Sequence, residues 1–283
     1  MACDDTGVGA RSTHAIGVFD SGVGGLSVLR ALRAELPLER FVYVADSDHA
    51  PYGERDDSHI IARSHAITRY LLEHHHIKAL VVACNTATAA AIQRLRQDFP
   101  DIPIVGIEPA LKPAASGSQT KHIGVLATRG TLNSEKFRSL LASLQDQAHF
   151  VVQPCDGLAD AIERDDAIQT IALCAYFTRA MGQFGLNQGE MDTLVLGCTH
   201  YPFASDALRA SVGDAVVLLE GGAPVARQTR RLLEARSWLA TQGALVPSAE
   251  TTVFGTTGNA GQLQSAIARW LQLQTSVQTL SIA

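Results

Sequence analysis

Two apolar segments occur twice in this chain, in the same order, and that repetition limits the folds open to it. Residues 16–21 (IGVFDS) return at 123–128 (IGVLAT), and residues 79–86 (ALVVACNT) return at 193–200 (TLVLGCTH). Each is a short apolar run closed by small or polar residues, the pattern of a strand that ends where a loop or helix begins. A strand set present in two copies, each closing on a cysteine, implies two similar lobes that each contribute one thiol.

The intervening sequence fits this scheme. Apolar runs at 15–19, 41–45, 79–83, 104–107, 122–127, 150–153, 193–197 and 215–219 predict strands. Helical patterns at 26–35, 58–75, 86–98, 134–143, 167–184 and 224–240 lie between or after them. Such alternation predicts an α/β fold of mainly parallel sheets with crossover helices. The strand runs lack period-two alternation, as strands covered on both faces do. A length of 283 residues suits two such lobes, at about 100–200 residues per domain. The segment 109–120, with its Pro, Gly, Ser and Gln, is the expected hinge.

Composition narrows the function. Apolar residues make up 46% and charged residues 18%, a globular balance, and the net charge of -5 leaves no basic footprint for nucleic acid. No apolar run approaches the roughly 18–20 residues of a membrane span, and residues 1–14 contain no apolar signal core, so a cytoplasmic protein is expected. The five cysteines are scattered at 3, 84, 155, 174 and 198, without the pairing of a disulfide scaffold or the CxxC spacing of a zinc site. Reduced thiols are expected. A run of three histidines at 74–76 resembles a metal motif, but adjacent helical positions do not face one another, and no metal is expected.

A lone cysteine is most often a small buried hydrophobe, and Cys3, Cys155 and Cys174 are read that way. Cys84 and Cys198 differ because they occupy equivalent points of the repeat. Each ends a strand run and precedes capping residues, Asn85 and Thr86 in one copy, Thr199 and Pro202 in the other. The carboxyl ends of parallel strands are where open α/β sheets bind ligands. A helix amino-terminus there is expected to lower a thiol pKa and to hold a carboxylate. Two thiols on opposite sides of a rigidly bound α-carbon are what inversion requires: one removes the proton from one face and the other supplies a proton to the opposite face.

Several residues are candidates to support them. Asp20 and Ser21 open a glycine-rich turn, where glycines permit backbone N–H groups to approach an anion. Asp20 is either a plain turn residue or an acid–base partner of a thiol, and His200 is either a surface group or the partner of Cys198. Gly22, Gly24 and Ser27, with Asp46 downstream, nearly match a dinucleotide fingerprint. The third glycine is missing, and Asp20 would set a carboxylate beside the pyrophosphate. The triplet Pro51-Tyr52-Gly53 is either an ordinary turn or a contact for a substrate carboxylate. None of the four lysines, at 78, 112, 121 and 136, sits at a strand end beside the glycine turn, which speaks against a pyridoxal Schiff base.

The stretches 19–28 (FDSGVGGLSV), 51–53 (PYG), 83–87 (ACNTA) and 196–202 (LGCTHYP) together resemble the bacterial glutamate racemases of the aspartate/glutamate racemase superfamily, over roughly residues 15–235. The resemblance implies two pseudo-symmetric α/β lobes with the active site between them. It assigns 12–108 plus 224–283 to the first lobe and 109–223 to the second. It implies racemisation of glutamate without a cofactor, to supply D-glutamate for peptidoglycan, by an enzyme of a kind commonly homodimeric. Carried over by position, Cys84 acts on D-glutamate with Asp20 assisting, and Cys198 acts on L-glutamate with His200 and Glu163 assisting. Asp20, Ser21, Tyr52, Gly53, Asn85, Thr86, Thr199 and His200 are implied substrate contacts, with Thr128 and Thr131 beside them. Aspartate-specific relatives usually carry Glu where this chain has His200. A related amino-acid or hydantoin racemase is the alternative enzyme, and a non-catalytic amino-acid-binding protein the alternative from another class. The chain departs from the pattern at Ala127, at Asp156 and at Glu220-Gly221.

Overall fold

The computed structural model describes residues 11–241 and 251–283; Cys3 lies outside them. Ten strands are present among the described residues: β1 (Ile16–Asp20), β2 (Phe41–Ala45), β3 (Ala79–Val82), β4 (Ile104–Gly106), β5 (His122–Ala127), β6 (His149–Pro154), β7 (Thr193–Gly197), β8 (Val217–Leu219), β9 (Thr252–Thr256) and β10 (Val277–Thr279). They form two sheets, ordered β10-β9-β2-β1-β3-β4 and β6-β5-β7-β8, and every strand pair is parallel. Helices flank both, giving the α/β class that the alternation predicts.

The sequence repeat reappears as a repeat of topology. The order β2-β1-β3-β4 in one sheet matches β6-β5-β7-β8 in the other, with Gly17 opposite Val42 and Gly124 opposite Val151. In each unit the chain crosses from the second strand over the first to the third, which opens a crevice at the carboxyl ends of the two central strands. Strands β1, β2 and β7 are buried along their whole length, so their sequences carry no alternation.

Both faces of each sheet carry a core. Leu26, Leu29 and Leu32 of the helix Leu26–Glu35 pack with Val225 and Leu233 of the helix Gly222–Glu234 on one face of the first sheet. Ile60, Ile67 and Leu71 of the helix Asp57–His75 cover the other face. That helix ends at His76 in the left-handed region, φ 47°, so the histidine run is a helix terminus.

Three expectations change. Strands β9 and β10 and the helix Ala260–Leu271 between them lengthen the first sheet beyond the repeat. Their strands are only five and three residues long, one interrupted by Gly255 and the other largely polar, and carry little apolar signal. The expected hinge at 109–120 contains a helix, Leu111–Gly117, whose Leu111, Ala114 and Ala115 are buried against β5; Pro113 falls in its first turn, where a missing N–H costs nothing. Short helices Arg129–Asn133 and Leu158–Glu163 follow β5 and β6, both too short for a periodic pattern. No helix among the described residues is long and apolar enough to cross a membrane.

Candidate active site

A cavity of about 190 Å³ opens between the carboxyl ends of the two sheets, and both Cys84 and Cys198 line it. Pockets for drug-sized ligands run from roughly 300 Å³ upward, so this one suits a small metabolite. Ser21, Tyr52, Gly53, Asn85, Thr86, Thr128, Glu163, Thr199 and His200 share its wall. Thr131 does not. It is buried one layer back, where Thr128 donates to its hydroxyl at 2.9 Å and it lines a smaller neighbouring pocket.

Cys84 follows β3 and caps the helix Asn85–Asp98. Its Sγ accepts the Ala87 N–H at 3.5 Å and lies 3.8 Å from the Ser21 hydroxyl. The helix start was expected to lower this thiol's pKa. Burial instead pushes it well above the ordinary cysteine value, the negative charge of Asp20 adds to the rise, and the Ala87 bond only partly opposes it. Cys84 therefore rests as a neutral thiol. Asp20, fully buried at the end of β1, takes the Gly25 N–H at 2.5 Å on Oδ2, with the Thr199 hydroxyl at 3.4 Å. Burial raises its pKa, while the nearby His200 charge and the Cys84 thiol pull the other way. Asp20 stands behind Cys84 rather than in the cavity wall, so direct contact with a substrate is not what its position offers.

The second copy is built differently. A helix beginning at Thr199 would need its first hydrogen bond from the nitrogen of Pro202 to the Cys198 carbonyl, and proline has no N–H to give. The Tyr201 N–H bonds that carbonyl at 3.1 Å instead. The chain runs through a 3-10 helix, Tyr201–Ala204, before the α-helix Ser205–Val212. The expected helix start at Cys198 is thus absent, and a side-chain chain takes its place. His200 Nδ1 lies 3.7 Å from the Cys198 sulfur, and its Nε2 lies 2.6 Å from Glu163 Oε2. Burial disfavours the imidazolium, yet the bonds to Cys198 and Glu163 outweigh it and hold the His200 pKa well above the usual range.

The glycine-rich turn explains how the two copies meet. The Val23 N–H donates to Glu163 Oε2 at 2.8 Å, and Ser27 Oγ donates to the Thr199 carbonyl at 2.9 Å. A Cβ on Gly24 would lie 2.4 Å from His200 Nδ1, and one on Gly22 would lie 2.4 Å from Glu163 Oε2. The turn does cradle anions, as its composition suggests, but they are the protein's own carboxylates. The dinucleotide reading has no support here, because Asp46 is fully buried in an ion pair with Arg63.

Tyr52 also departs from expectation. Tyr52 lines the cavity, but its hydroxyl donates to Asp46 Oδ2 at 2.6 Å, leaving the backbone of this loop as the polar surface it offers. The sequence reading overlooks Cys155, a buried thiol in the same wall, and the ion pair between Arg129 and Asp156, which lines the cavity with both side chains more than half exposed. Asp156 is one of the departures noted above, and its pairing to Arg129 spans the loops after β5 and β6.

Residues 25–229 match the model of the Asp/Glu/Hydantoin racemase family. The chain belongs to this family. Among similar racemases, the glutamate racemase of Ectopseudomonas mendocina is 46% identical over 94% of this chain and 98% of its own length. That of Pseudomonas aeruginosa is 48% identical over 84% and 88%. The crystal structure of the Escherichia coli glutamate racemase in complex with L-glutamate and the activator UDP-MurNAc-ala superimposes with a TM-score of 0.81. It is 30% identical and covers 95% of this chain and 99% of its own. The structural likeness extends over nearly the whole chain.

Proposed function

We propose that this racemase interconverts L- and D-glutamate by proton transfer between Cys84 and Cys198, without a cofactor. The observation that carries the proposal is that two sulfurs from equivalent points of two sheets line one small cavity. In the L-to-D direction the Cys198 sulfur, as thiolate, takes the α-proton from one face. The His200 imidazolium beside it balances the negative sulfur beforehand. The resulting carbanion takes the Cys84 proton on the opposite face, leaving a thiolate there and a thiol at Cys198. The D-to-L direction is the reverse. Asp20 exchanges charge with Cys84, and Glu163 orients His200 and holds its proton.

The contacts assigned to substrate are Ser21, the Tyr52-Gly53 backbone, Asn85, Thr86, Thr199 and His200, with Thr128 beside them. The lobes are taken as 12–108 plus 224–283 and 109–223, which the membership of the two sheets supports. The same reading includes D-glutamate supply for peptidoglycan in the cytoplasm and a homodimer. Exposed Ile168, Ile171 and Tyr176 on the helix Ala167–Met181 offer apolar surface for self-association, which sedimentation checks.

Incubation with L-glutamate in deuterated water tests the chemistry. D-glutamate carrying deuterium at the α-carbon is expected, with Cys84→Ser and Cys198→Ser each losing at least about a thousandfold in turnover. D-product that keeps its α-hydrogen overturns the mechanism, and turnover of aspartate or a hydantoin in place of glutamate overturns the substrate.

A further inference from the structure

The loop that carries Tyr52 into the cavity is fastened from behind by a buried polar cluster that the reaction does not use. Asp46, at the end of β2, is its centre. Its Oδ2 takes the Tyr52 hydroxyl at 2.6 Å and Arg63 Nε at 3.0 Å. Its Oδ1 takes a second Arg63 nitrogen at 2.9 Å and the Thr257 hydroxyl at 3.0 Å, with His49 Nδ1 at 3.1 Å. Both carboxylate oxygens are thus engaged, the two-pronged match that a guanidinium makes and a lysine ammonium does not.

Arg63 has a third nitrogen, and it points away from the cluster. It donates to the Ile282 carbonyl at 2.8 Å. The segment that supplies that carbonyl follows β10. Its Leu280 N–H bonds the Thr256 carbonyl at 2.7 Å, and Leu280 and Ile282 pack on the apolar cluster that holds Tyr52 and Ile60. A second tie runs from Thr257, whose hydroxyl accepts the Asp48 N–H at 3.3 Å. The substrate loop at 47–54 and the segment at 280–282, more than two hundred residues apart in sequence, therefore share one arginine.

We propose that Arg63 is a positioning residue for substrate binding: by gripping Asp46 on one side and the 280–282 backbone on the other, it holds the 47–54 loop, and with it the Tyr52-Gly53 backbone, in the shape that receives the substrate. The consequence for glutamate rests on the function proposed above; the consequence for the loop does not. Arg63 is nearly buried and forms no part of the cavity wall. Its loss should therefore act on binding and leave the thiol chemistry alone.

The test is hydrogen exchange across the intact protein, with kinetics alongside, for Arg63→Lys and for Ile282→Ser. In both variants amide exchange at 47–54 is expected to quicken by at least about tenfold, with the helix Asn85–Asp98 unchanged. KM for glutamate should rise about tenfold in Arg63→Lys and less in Ile282→Ser, with kcat and the pH profile of kcat kept. The double variant should be no worse than Arg63→Lys, since the two act through one tether. Unchanged exchange at 47–54 in both variants overturns the proposal, as does a shift in the pH profile, which would mean that Arg63 acts on the thiols. If wild type fails to racemise glutamate while loop exchange still quickens in the variants, the substrate reading fails and the tether stands. Should Arg63→Lys not fold, Ile282→Ser alone decides.

Discussion

Glu163 and His200 share one short hydrogen bond, 2.6 Å between Oε2 and Nε2, and the opposite ring nitrogen of His200 faces the Cys198 sulfur. The imidazole thereby joins a carboxyl group at one end to a cysteine sulfur at the other. The carboxylate of Glu163 is itself fixed by the Val23 N–H and its backbone carbonyl by the Gln262 side chain, both from elements of the first sheet's lobe.

Glu163→Gln keeps the shape of this contact and removes the charge. We expect kcat/KM to fall about ten- to a hundredfold, measured by polarimetry from each enantiomer. The fall must be equal in the two directions, because enantiomers have the same free energy and no variant can alter the equilibrium between them. An unequal fall would signal an artefact of assay, and an unchanged kcat/KM would remove Glu163 from the mechanism.

The raised His200 pKa carries a stability signature. In the unfolded chain the imidazole titrates near about 6.5, whereas the folded protein keeps the proton to higher pH, because the Cys198 and Glu163 bonds outweigh burial. The folded state thus binds more protons in the window above about pH 6.5. The stabilisation is complete below that pH and is lost as pH rises through the folded value. Thermal melting followed by circular dichroism should show a midpoint that declines from pH 6.5 upward in wild type and declines less in His200→Asn.

Asp20 adds a loss of the same sign that begins at lower pH. Burial raises its pKa, so the folded state resists ionising it, and its contribution to stability drops as pH climbs above about 4, the unfolded value. Asp20→Asn should therefore melt higher than wild type at pH 7 while losing about a hundredfold or more in turnover. A variant that melts lower would show that the Gly25 and Thr199 hydrogen bonds, and not the charge, dominate at this position.

Gly24→Ala should cost activity out of proportion to its size. The added methyl would fall 2.4 Å from His200 Nδ1 and 2.7 Å from Thr199 Oγ1, so His200 must move off the Cys198 sulfur. A loss of at least about a hundredfold in kcat/KM is expected. Gly117→Ala, where a Cβ meets nothing within 4 Å at the end of a helix, serves as control, with full activity and about 0.4–1 kcal/mol of added stability in urea titration.

The sequence was most legible where a long apolar run met a turn. The strands at 41–45, 122–127 and 193–197 fall where the pattern sets them, because burial on both faces leaves an uninterrupted signal. Cys84 and Cys198 stand out for the same reason, as ends of repeated runs. Glu163 has no such local mark and enters only through the family resemblance; its helix is six residues long, and its importance comes from a backbone N–H 140 residues away. Asp46 reads from the sequence as the downstream acid of a dinucleotide fingerprint, because nothing near it announces Arg63, Tyr52 and Thr257 as its partners. The pKa of Cys84 was misjudged because helix position is written in the sequence and desolvation is not.

The turn at 22–25 ties the reacting groups of one half to the backbone of the other. Neither half, expressed separately, would contain a complete proton relay, since Glu163 would lack the Val23 amide and Cys84 would lack its counterpart sulfur. Any motion that parts the halves would therefore also disassemble the acid–base machinery.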